Sequence, residues 1–181
     1  TNFNPYLWQA GGEFFAPDGQ SVAFASEEGV EALEFFASLF ERGWATPESP
    51  GPFLEGKAAI YLWAAQSEMA AAVRGDLAGA ADVGPTFTHR VRSGFGSLAG
   101  YVIPKDAPNR ELAVKFLDYL LRPDVVRLYL EAYGFIPTRS GISLDYFGED
   151  EWWVRKFVNE VPYIHYDIAH PFVRELMATV G

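Results

Sequence analysis

The most informative stretch of this sequence is Phe53-Leu54-Glu55-Gly56-Lys57-Ala58-Ala59-Ile60-Tyr61-Leu62-Trp63. Gly56 permits a tight turn, because glycine adopts backbone conformations that other residues avoid. The short apolar run from Ala58 to Leu62 predicts a buried strand that ends at Trp63. Ligands of open α/β sheets bind at the carboxyl ends of strands. The stretch therefore predicts a strand that presents an indole at the binding edge of a sheet.

The composition is that of a globular protein with an unusual share of aromatic residues. The 181 residues can form one sizeable core or two small ones, and 49% of them are hydrophobic and 21% charged. Aromatic residues make up 16% of the chain, as 15 Phe, 9 Tyr and 5 Trp. A surplus of Tyr and Trp suits a site that stacks on a flat, partly apolar ligand.

Charge and cysteine content exclude several classes of function. A net charge of −10 argues against nucleic acid as a partner, because phosphate binding needs clustered Lys and Arg. The lack of cysteine excludes disulfides, thiol catalysis and cysteine-ligated metal. The sequence shows no signal peptide and no apolar run long enough for a membrane span. It opens on Thr1 without Met, which fits a processed or cut piece and equally a trimmed chain.

Local signals predict short strands that alternate with helices. Asn4 as the N-cap and Pro5 at the first helical position predict a helix start. Residues 14–25 predict a hairpin around Pro17-Asp18-Gly19, and Ser26 predicts the cap of an amphipathic helix. The predicted inner face of that helix contains Val30, Leu33, Phe36 and Phe40. Further predictions are helices at 66–74, 109–122, 123–134, 149–160 and 171–180, strands at 82–87 and 96–103, and a turn at 104–108. The class is α/β or α+β.

Several blocks in a fixed order carry a family resemblance. They are Asn4-Pro5-Tyr6-Leu7-Trp8-Gln9-Ala10-Gly11-Gly12-Glu13, Val22-Ala23-Phe24-Ala25-Ser26-Glu27-Glu28-Gly29, Phe53-Leu54-Glu55-Gly56-Lys57-Ala58-Ala59-Ile60, Gly94 to Lys105, Ala113-Val114-Lys115-Phe116-Leu117 and Gly134-Phe135-Ile136-Pro137-Thr138-Arg139. Together they resemble the C-terminal half of extracellular solute-binding proteins of ABC transporters, of the maltose-binding-protein-like sugar-binding family. The resemblance covers nearly the whole chain.

The resemblance implies an α/β, periplasmic-binding-protein-like type II fold of which the chain supplies the second lobe. Residues 1–103 and 141–181 would form that lobe, and residues 104–140 would be helices that pack on a first lobe absent from this chain. The apolar faces of that helical segment would then lack a partner here, namely Leu112, Phe116, Leu120, Leu128 and Tyr133. We expect the first lobe as a separate chain, or a fragment whose helices repack.

The resemblance also implies six ligand-binding residues: Trp8, Trp63, Gln66, Ser97, Arg139 and Tyr166. Indoles would stack on the C–H faces of a sugar, while amide, hydroxyl and guanidinium groups would bind its hydroxyls. Core packing is the competing interpretation for the two tryptophans and the tyrosine. For Gln66 it is an exposed position in a first helical turn, and for Arg139 a solvated surface position. Ser97 follows Gly94-Phe95-Gly96, which lacks the Lys and Thr of a phosphate loop. That segment is either a backbone surface that a ligand approaches or an ordinary turn.

Two motifs suggest catalysis or metal binding, but each has a simpler explanation. Glu149 and Glu151 precede Trp152 and Trp153, as carboxylates and indoles do in glycosidase sites, but acids in a first helical turn are explained by the helix dipole. His165 and His170 do not share a helical face, and Pro171 implies an irregular segment. We therefore expect no catalytic residues, no metal and no cofactor.

The function implied by the resemblance is that of the solute-binding component of an ABC importer. Such a protein would be extracytoplasmic, would hold a neutral sugar or oligosaccharide between two lobes, and would deliver it to the transmembrane permease subunits. Two alternatives come from the aromatic content. One is a carbohydrate-processing enzyme that uses Glu149 or Glu151, and the other is an interaction domain with an aromatic protein-binding surface.

Overall fold

A computed structural model gives the structure of the chain. It describes residues 3–46, 51–62, 72, 75, 77, 79–98, 100–133, 135–138, 149 and 152–166. The helices are α1 Asn4–Gln9, α2 Glu27–Glu41, α3 Gly51–Leu54, α4 Arg110–Leu120, α5 Pro123–Tyr133 and α6 Trp152–Glu160, and a 3₁₀ turn follows at Val161–Tyr163. The strands are β1 Gly94–Gly96 and β2 Ile164–Tyr166.

The chain divides into two compact units. Unit 1 contains Thr1–Pro52, Pro85–Leu98 and Glu160–Gly181, and unit 2 contains Phe53–Gly84 and Ala99–Asn159. Each unit is therefore built from segments that are distant in sequence, and the chain passes between the units four times.

Unit 1 is organised by a parallel pair of strands and the helix that packs on it. β1 and β2 pair with Phe95 opposite His165 and Gly96 opposite Tyr166. Helix α1 contacts β1 and also packs against α2. The core between them contains Leu7, Trp8 and Phe14, with Phe3, Phe15, Phe24 and Phe95 packed around it.

The start of unit 1 confirms the local predictions except for the cap of α1. α1 begins at Asn4, with Phe3 in the cap position rather than Asn4 itself, and Pro5 lies in its first turn. The hairpin is present as a short antiparallel bridge between Phe15 and Val22, closed by the left-handed Gly19. Helix α2 begins after Ser26, whose hydroxyl accepts a hydrogen bond from the Gly29 amide at 3.2 Å.

The predicted inner face of α2 is wrong in part. Val30 and Leu33 are both more than half exposed, whereas Gly29 and Ala32 are buried. A Cβ on Gly29 would lie 1.8 Å from the Phe24 carbonyl oxygen, so the helix approaches the preceding chain through its small residues. Phe36 does pack inward, with its ring 5.1 Å from that of Tyr6. Because the backbone of α2 packs closely on the preceding chain, its small residues are buried and the larger apolar residues beside them stay exposed.

The buried strand predicted at residues 58–62 is also wrong. Gly56 takes the left-handed conformation expected of a turn glycine, but residues 58–62 form no strand and Ile60 is 64% exposed. In the described part of the chain, β1 and β2 are the strands that pair with each other, so residues 58–62 have no ladder to join. A strand is stable only with a partner for its backbone groups, which the apolar pattern cannot supply.

Two further strand predictions are wrong for the same reason. Residues 82–87 form no strand, and neither do residues 97–98 and 100–103, so that among the described residues only Gly96 of the second prediction lies in β1. The predicted helix at 66–74 lies outside the described residues apart from Ala72, and the helix at 171–180 lies outside them entirely.

Unit 2 has a small core of its own. Leu130 of α5 packs with Trp153 and Val154 of α6, and partly buried side chains surround them: Ala81, Val83, Val126, Phe135, Trp152, Phe157 and Val158. The predicted turn at 104–108 is confirmed by the bond from the Ala107 amide to the Pro104 carbonyl. Pro123 begins α5, as predicted.

Two apolar side chains of α4 for which the resemblance implies no partner in this chain lie on the surface. Leu112 and Phe116 are each more than half exposed, and with Asn109 and Ala113 they line a shallow apolar groove of about 410 Å³. On α5, Leu128 and Tyr133 are likewise exposed. We refer to Leu112, Phe116, Leu128 and Tyr133 as the exposed apolar face.

Two tryptophans with opposite burial test the core assignment of unit 2. Trp153 is 1% exposed, whereas Trp44 of unit 1 is 70% exposed, with the Arg42 guanidinium 4.8 Å from its ring. We expect Trp153→Ala to lower the free energy of unfolding by about 3–5 kcal/mol and Trp44→Ala by less than about 1 kcal/mol. Urea denaturation followed by circular dichroism measures both values. Equal losses in the two variants would contradict the assigned core.

Candidate functional site

The parallel pair β1–β2 brings two of the predicted site residues to one end of unit 1. Ser97 follows directly after β1 and is exposed, and Tyr166 is the last residue of β2 and is 44% exposed. Because Gly96 is paired with Tyr166, Ser97 lies at the same carboxyl end of the ladder as Tyr166. Two exposed hydroxyl groups beside an aromatic ring suit the binding of a polar ligand with an apolar face.

Trp8 lies behind this end of the ladder rather than on an open surface. It is 4% exposed, and its ring stacks on His165 at 4.8 Å and runs parallel to Phe95 at 6.3 Å. Phe14 meets the same indole edge-on. The structure therefore places Trp8 in the core of unit 1, where it supports the strands, and its contact with a ligand stays a prediction.

Helix α1 is held against the strand segment by backbone hydrogen bonds. The Gln9 carbonyl accepts from the amides of Arg90 and Val91, at 2.9 and 3.0 Å. The Gln9 side-chain amide donates to the Ser93 carbonyl at 2.7 Å. These bonds join the end of α1 to the residues just before β1. They therefore hold Trp8 in a fixed position against Phe95.

The two glycines of β1 make room for protein side chains. A Cβ on Gly94 would lie 2.7 Å from Thr86 Cγ2, and one on Gly96 would lie 2.5 Å from Ile164 Cγ2. In β1 the Gly-Phe-Gly segment is thus a strand that packs closely against its neighbours. Thr86 and Ile164 fill the space beside these glycines. The segment is therefore neither fully a backbone surface that a ligand approaches nor fully an ordinary turn.

The other three predicted site residues are not described. Trp63, Gln66 and Arg139 lie outside the described residues, as does His170 of the histidine pair. His165, the other member of that pair, stacks on Trp8. Within the described ranges, no three His, Asp or Glu side chains lie close enough together to hold a metal ion.

Charged residues tie the segment before β1 to α2. Glu31 contacts His89 Nε2 at 2.7 Å and the Arg90 guanidinium at 2.5 Å. The pKa of Glu28 lies below its usual value, because the carboxylate accepts hydrogen bonds from its own backbone amide and from Ser26, with Arg90 close by. These pairs are exposed, so each contributes little to stability.

A cluster that sequence reasoning missed joins the entry to β1 with the entry to β2. Glu160 accepts hydrogen bonds from Thr86 and Arg92, and the Arg92 guanidinium lies 4.0 Å above the Tyr163 ring. The partners are separated by up to 74 residues in sequence. No local pattern in the sequence pairs them.

Comparison with known proteins gives the family. The family model described as bacterial extracellular solute-binding protein matches residues 1–127, well over half of the chain. The chain belongs to this family. The predicted family is therefore confirmed, and with it the extracytoplasmic location that the family's description carries. A search of curated proteins found no match.

One solved structure supports the fold of this solute-binding protein. It is the cyclic alpha-maltosyl-1,6-maltose binding protein from Arthrobacter globiformis, with 25% sequence identity and a TM-score of 0.64. The match covers 95% of this chain and 46% of that protein, so the chain spans less than half of its neighbour's length. The α/β, periplasmic-binding-protein-like fold is thus confirmed for a partial chain. No described helix is long and apolar enough to cross a membrane.

The close packing of β1 can be tested by adding one methyl group. We expect Gly96→Ala to lower the free energy of unfolding by about 1–3 kcal/mol, because the new Cβ would collide with Ile164. Chemical denaturation measures the loss. Gly84→Ala is the matched control, since a Cβ there meets nothing within 4 Å.

A double variant separates this collision from a backbone effect. Ile164→Ala removes the colliding methyl, so Gly96→Ala should cost less in that background by at least about 0.5 kcal/mol. Strict additivity of the two single losses would show that Gly96 is required for another reason.

Proposed function

We propose that this solute-binding protein contributes one wall of a sugar-binding cleft in an ABC importer. The observation that carries the proposal is the match over 95% of the chain to a protein described as binding a cyclic maltosyl-maltose. The family match over residues 1–127 supports the transport context. Proteins of this kind bind a ligand rather than transform it, so we propose a binding role without catalysis.

The chemistry of the chain favours a neutral sugar. A net charge of −10 repels anionic ligands at long range, and the aromatic share of 16% offers apolar surface for the C–H faces of sugar rings. Discrimination among sugars would come from hydroxyl hydrogen bonds, because a buried polar group left unpaired costs about 1–3 kcal/mol.

The carboxyl end of β1–β2 is the proposed wall within unit 1. Tyr166 would stack on the sugar and bind a hydroxyl, and Ser97 would bind a second hydroxyl. Trp8 supports this wall from behind through Phe95 and His165. Trp63, Gln66 and Arg139 remain proposed contacts on the strength of the family resemblance.

The exposed apolar face is the proposed contact for the first lobe. Residues 104–140 would contact the first lobe through this face, with residues 1–103 and 141–181 as the second lobe. The exposure of Leu112, Phe116, Leu128 and Tyr133 supports such a contact, since such a face is normally covered. The lobes would close on the sugar, and the closed form would be presented to the permease subunits.

A panel of sugars tests the function in a protein that contains both lobes. We expect neutral oligosaccharides to raise the melting temperature, since a ligand that binds only the folded state stabilises it by mass action. Uronic acids and sugar phosphates of similar size serve as the charged comparison. A melting temperature that no sugar changes would reject the sugar-binding proposal.

Two substitutions of Tyr166 separate stacking from hydrogen bonding. Tyr166→Phe removes only the hydroxyl and should weaken sugar binding about threefold to tenfold, as expected for one neutral hydrogen bond. Tyr166→Ala removes the ring as well and should weaken binding further. Calorimetric titration gives both affinities, with Tyr119→Phe on α4 as the control for an exposed tyrosine. Unchanged affinity in both Tyr166 variants would remove this residue from the site.

A further inference from the structure

The carboxylate of Glu160 is the centre of a partly buried polar cluster in unit 1. Its Oε2 accepts hydrogen bonds from the Thr86 amide at 3.0 Å and from the Thr86 hydroxyl. Its Oε1 accepts from the Arg92 guanidinium at 2.6 Å. The carboxylate is thus held by three donors from one segment of chain.

The surroundings make these bonds stronger than ordinary surface contacts. The Glu160 side chain is only 15% exposed, and Arg92 is covered on one face by the Tyr163 ring. Partial removal from water strengthens the attraction between the two charges. The Arg92 Nε is buried without a hydrogen-bond partner, so the guanidinium is held mainly by Glu160 and Tyr163.

The cluster lies where two segments enter unit 1. Unit 1 resumes at Pro85 and again at Glu160, so Thr86 and Glu160 stand within two residues of these entries. The first segment leads into β1 and the second into β2. Thr86 also packs against Gly94 of β1, where a Cβ would meet its methyl at 2.7 Å.

We propose that Thr86, Arg92, Glu160 and Tyr163 form an acid-sensitive latch that holds β1 and β2 in register. The ladder itself is only three residues long, so it needs support from outside its own hydrogen bonds. Protonation of Glu160 removes the ion pair with Arg92 and weakens the acceptor that Thr86 uses. The latch then opens, and the β1–β2 pairing loosens. This role does not depend on any sugar.

The electrostatics of Glu160 give the direction of the pH effect. Burial alone would raise the pKa of Glu160, but the hydrogen bonds from Thr86 and Arg92 outweigh it and hold the pKa below the usual 4.5. Because the pKa of Glu160 is lower in the folded state than in the unfolded state, the latch contributes stability at pH values above the unfolded-state pKa. This stability is lost as the pH falls through the folded-state pKa.

The Thr86 amide reports directly on the latch, because its proton is bonded to the titrating carboxylate. In NMR spectra of the whole chain we expect its shift to titrate with a midpoint below 4.5, together with the Glu160 side-chain carbon. Below the midpoint, the Phe95 amide of β1 should lose at least about tenfold of its hydrogen-exchange protection. A Thr86 amide that does not titrate, or Phe95 protection that stays constant, would overturn the latch.

Three variants distinguish the latch from a general effect of acid. Glu160→Gln keeps the size of the side chain but cannot titrate, so the Thr86 shift and Phe95 protection should become independent of pH. Thr86→Val removes one donor and should move the Glu160 midpoint upward. Glu131→Gln alters an exposed pair with Arg127 on α5 and should leave the titration unchanged. If Glu131→Gln abolished the Phe95 transition, or Thr86→Val left the midpoint unchanged, the proposal would fail.

Discussion

The parallel pairing of Gly94–Gly96 with Ile164–Tyr166 is the contact on which the rest of unit 1 depends. It joins segments about seventy residues apart, and it is possible only because the glycines of β1 leave space for Thr86 and Ile164. Trp8 of α1 packs on Phe95 and His165, which lie opposite each other in the ladder, so the ladder fixes the position of α1. The contact between Tyr6 of α1 and Phe36 of α2 in turn positions α2 against α1.

Local signals predicted the elements that close within a few residues. The turn at Gly19, the cap at Ser26 and the helix start at Pro123 each depend on neighbouring residues alone, and each was found. The strands at 58–62 and 82–87 were wrong, because an apolar run indicates burial without naming a partner for its backbone. β1 was missed for the converse reason, since a Gly-Phe-Gly segment carries almost no strand signal.

The site could be predicted only as far as the family resemblance reached. Ser97 and Tyr166 were named separately, and the register of β1–β2 brings them to one end of unit 1. The burial of Trp8 could not be read from its helix, because the covering side chains Phe95 and His165 come from distant segments. The cluster around Glu160 could not be predicted either, because its residues also come from distant segments of the chain. The aromatic surplus divides between such cores and exposed rings, so composition alone could not assign any one ring to a ligand.

We propose that this solute-binding protein carries one wall of a two-walled sugar cleft. Tight binding needs both walls, because a sugar held on one side leaves most of its surface in water. Calorimetric titration of the 181-residue chain alone with a neutral oligosaccharide tests this most directly. We expect no binding tighter than about 1 mM, which corresponds to about −4 kcal/mol. Micromolar or tighter binding by the chain alone would contradict it.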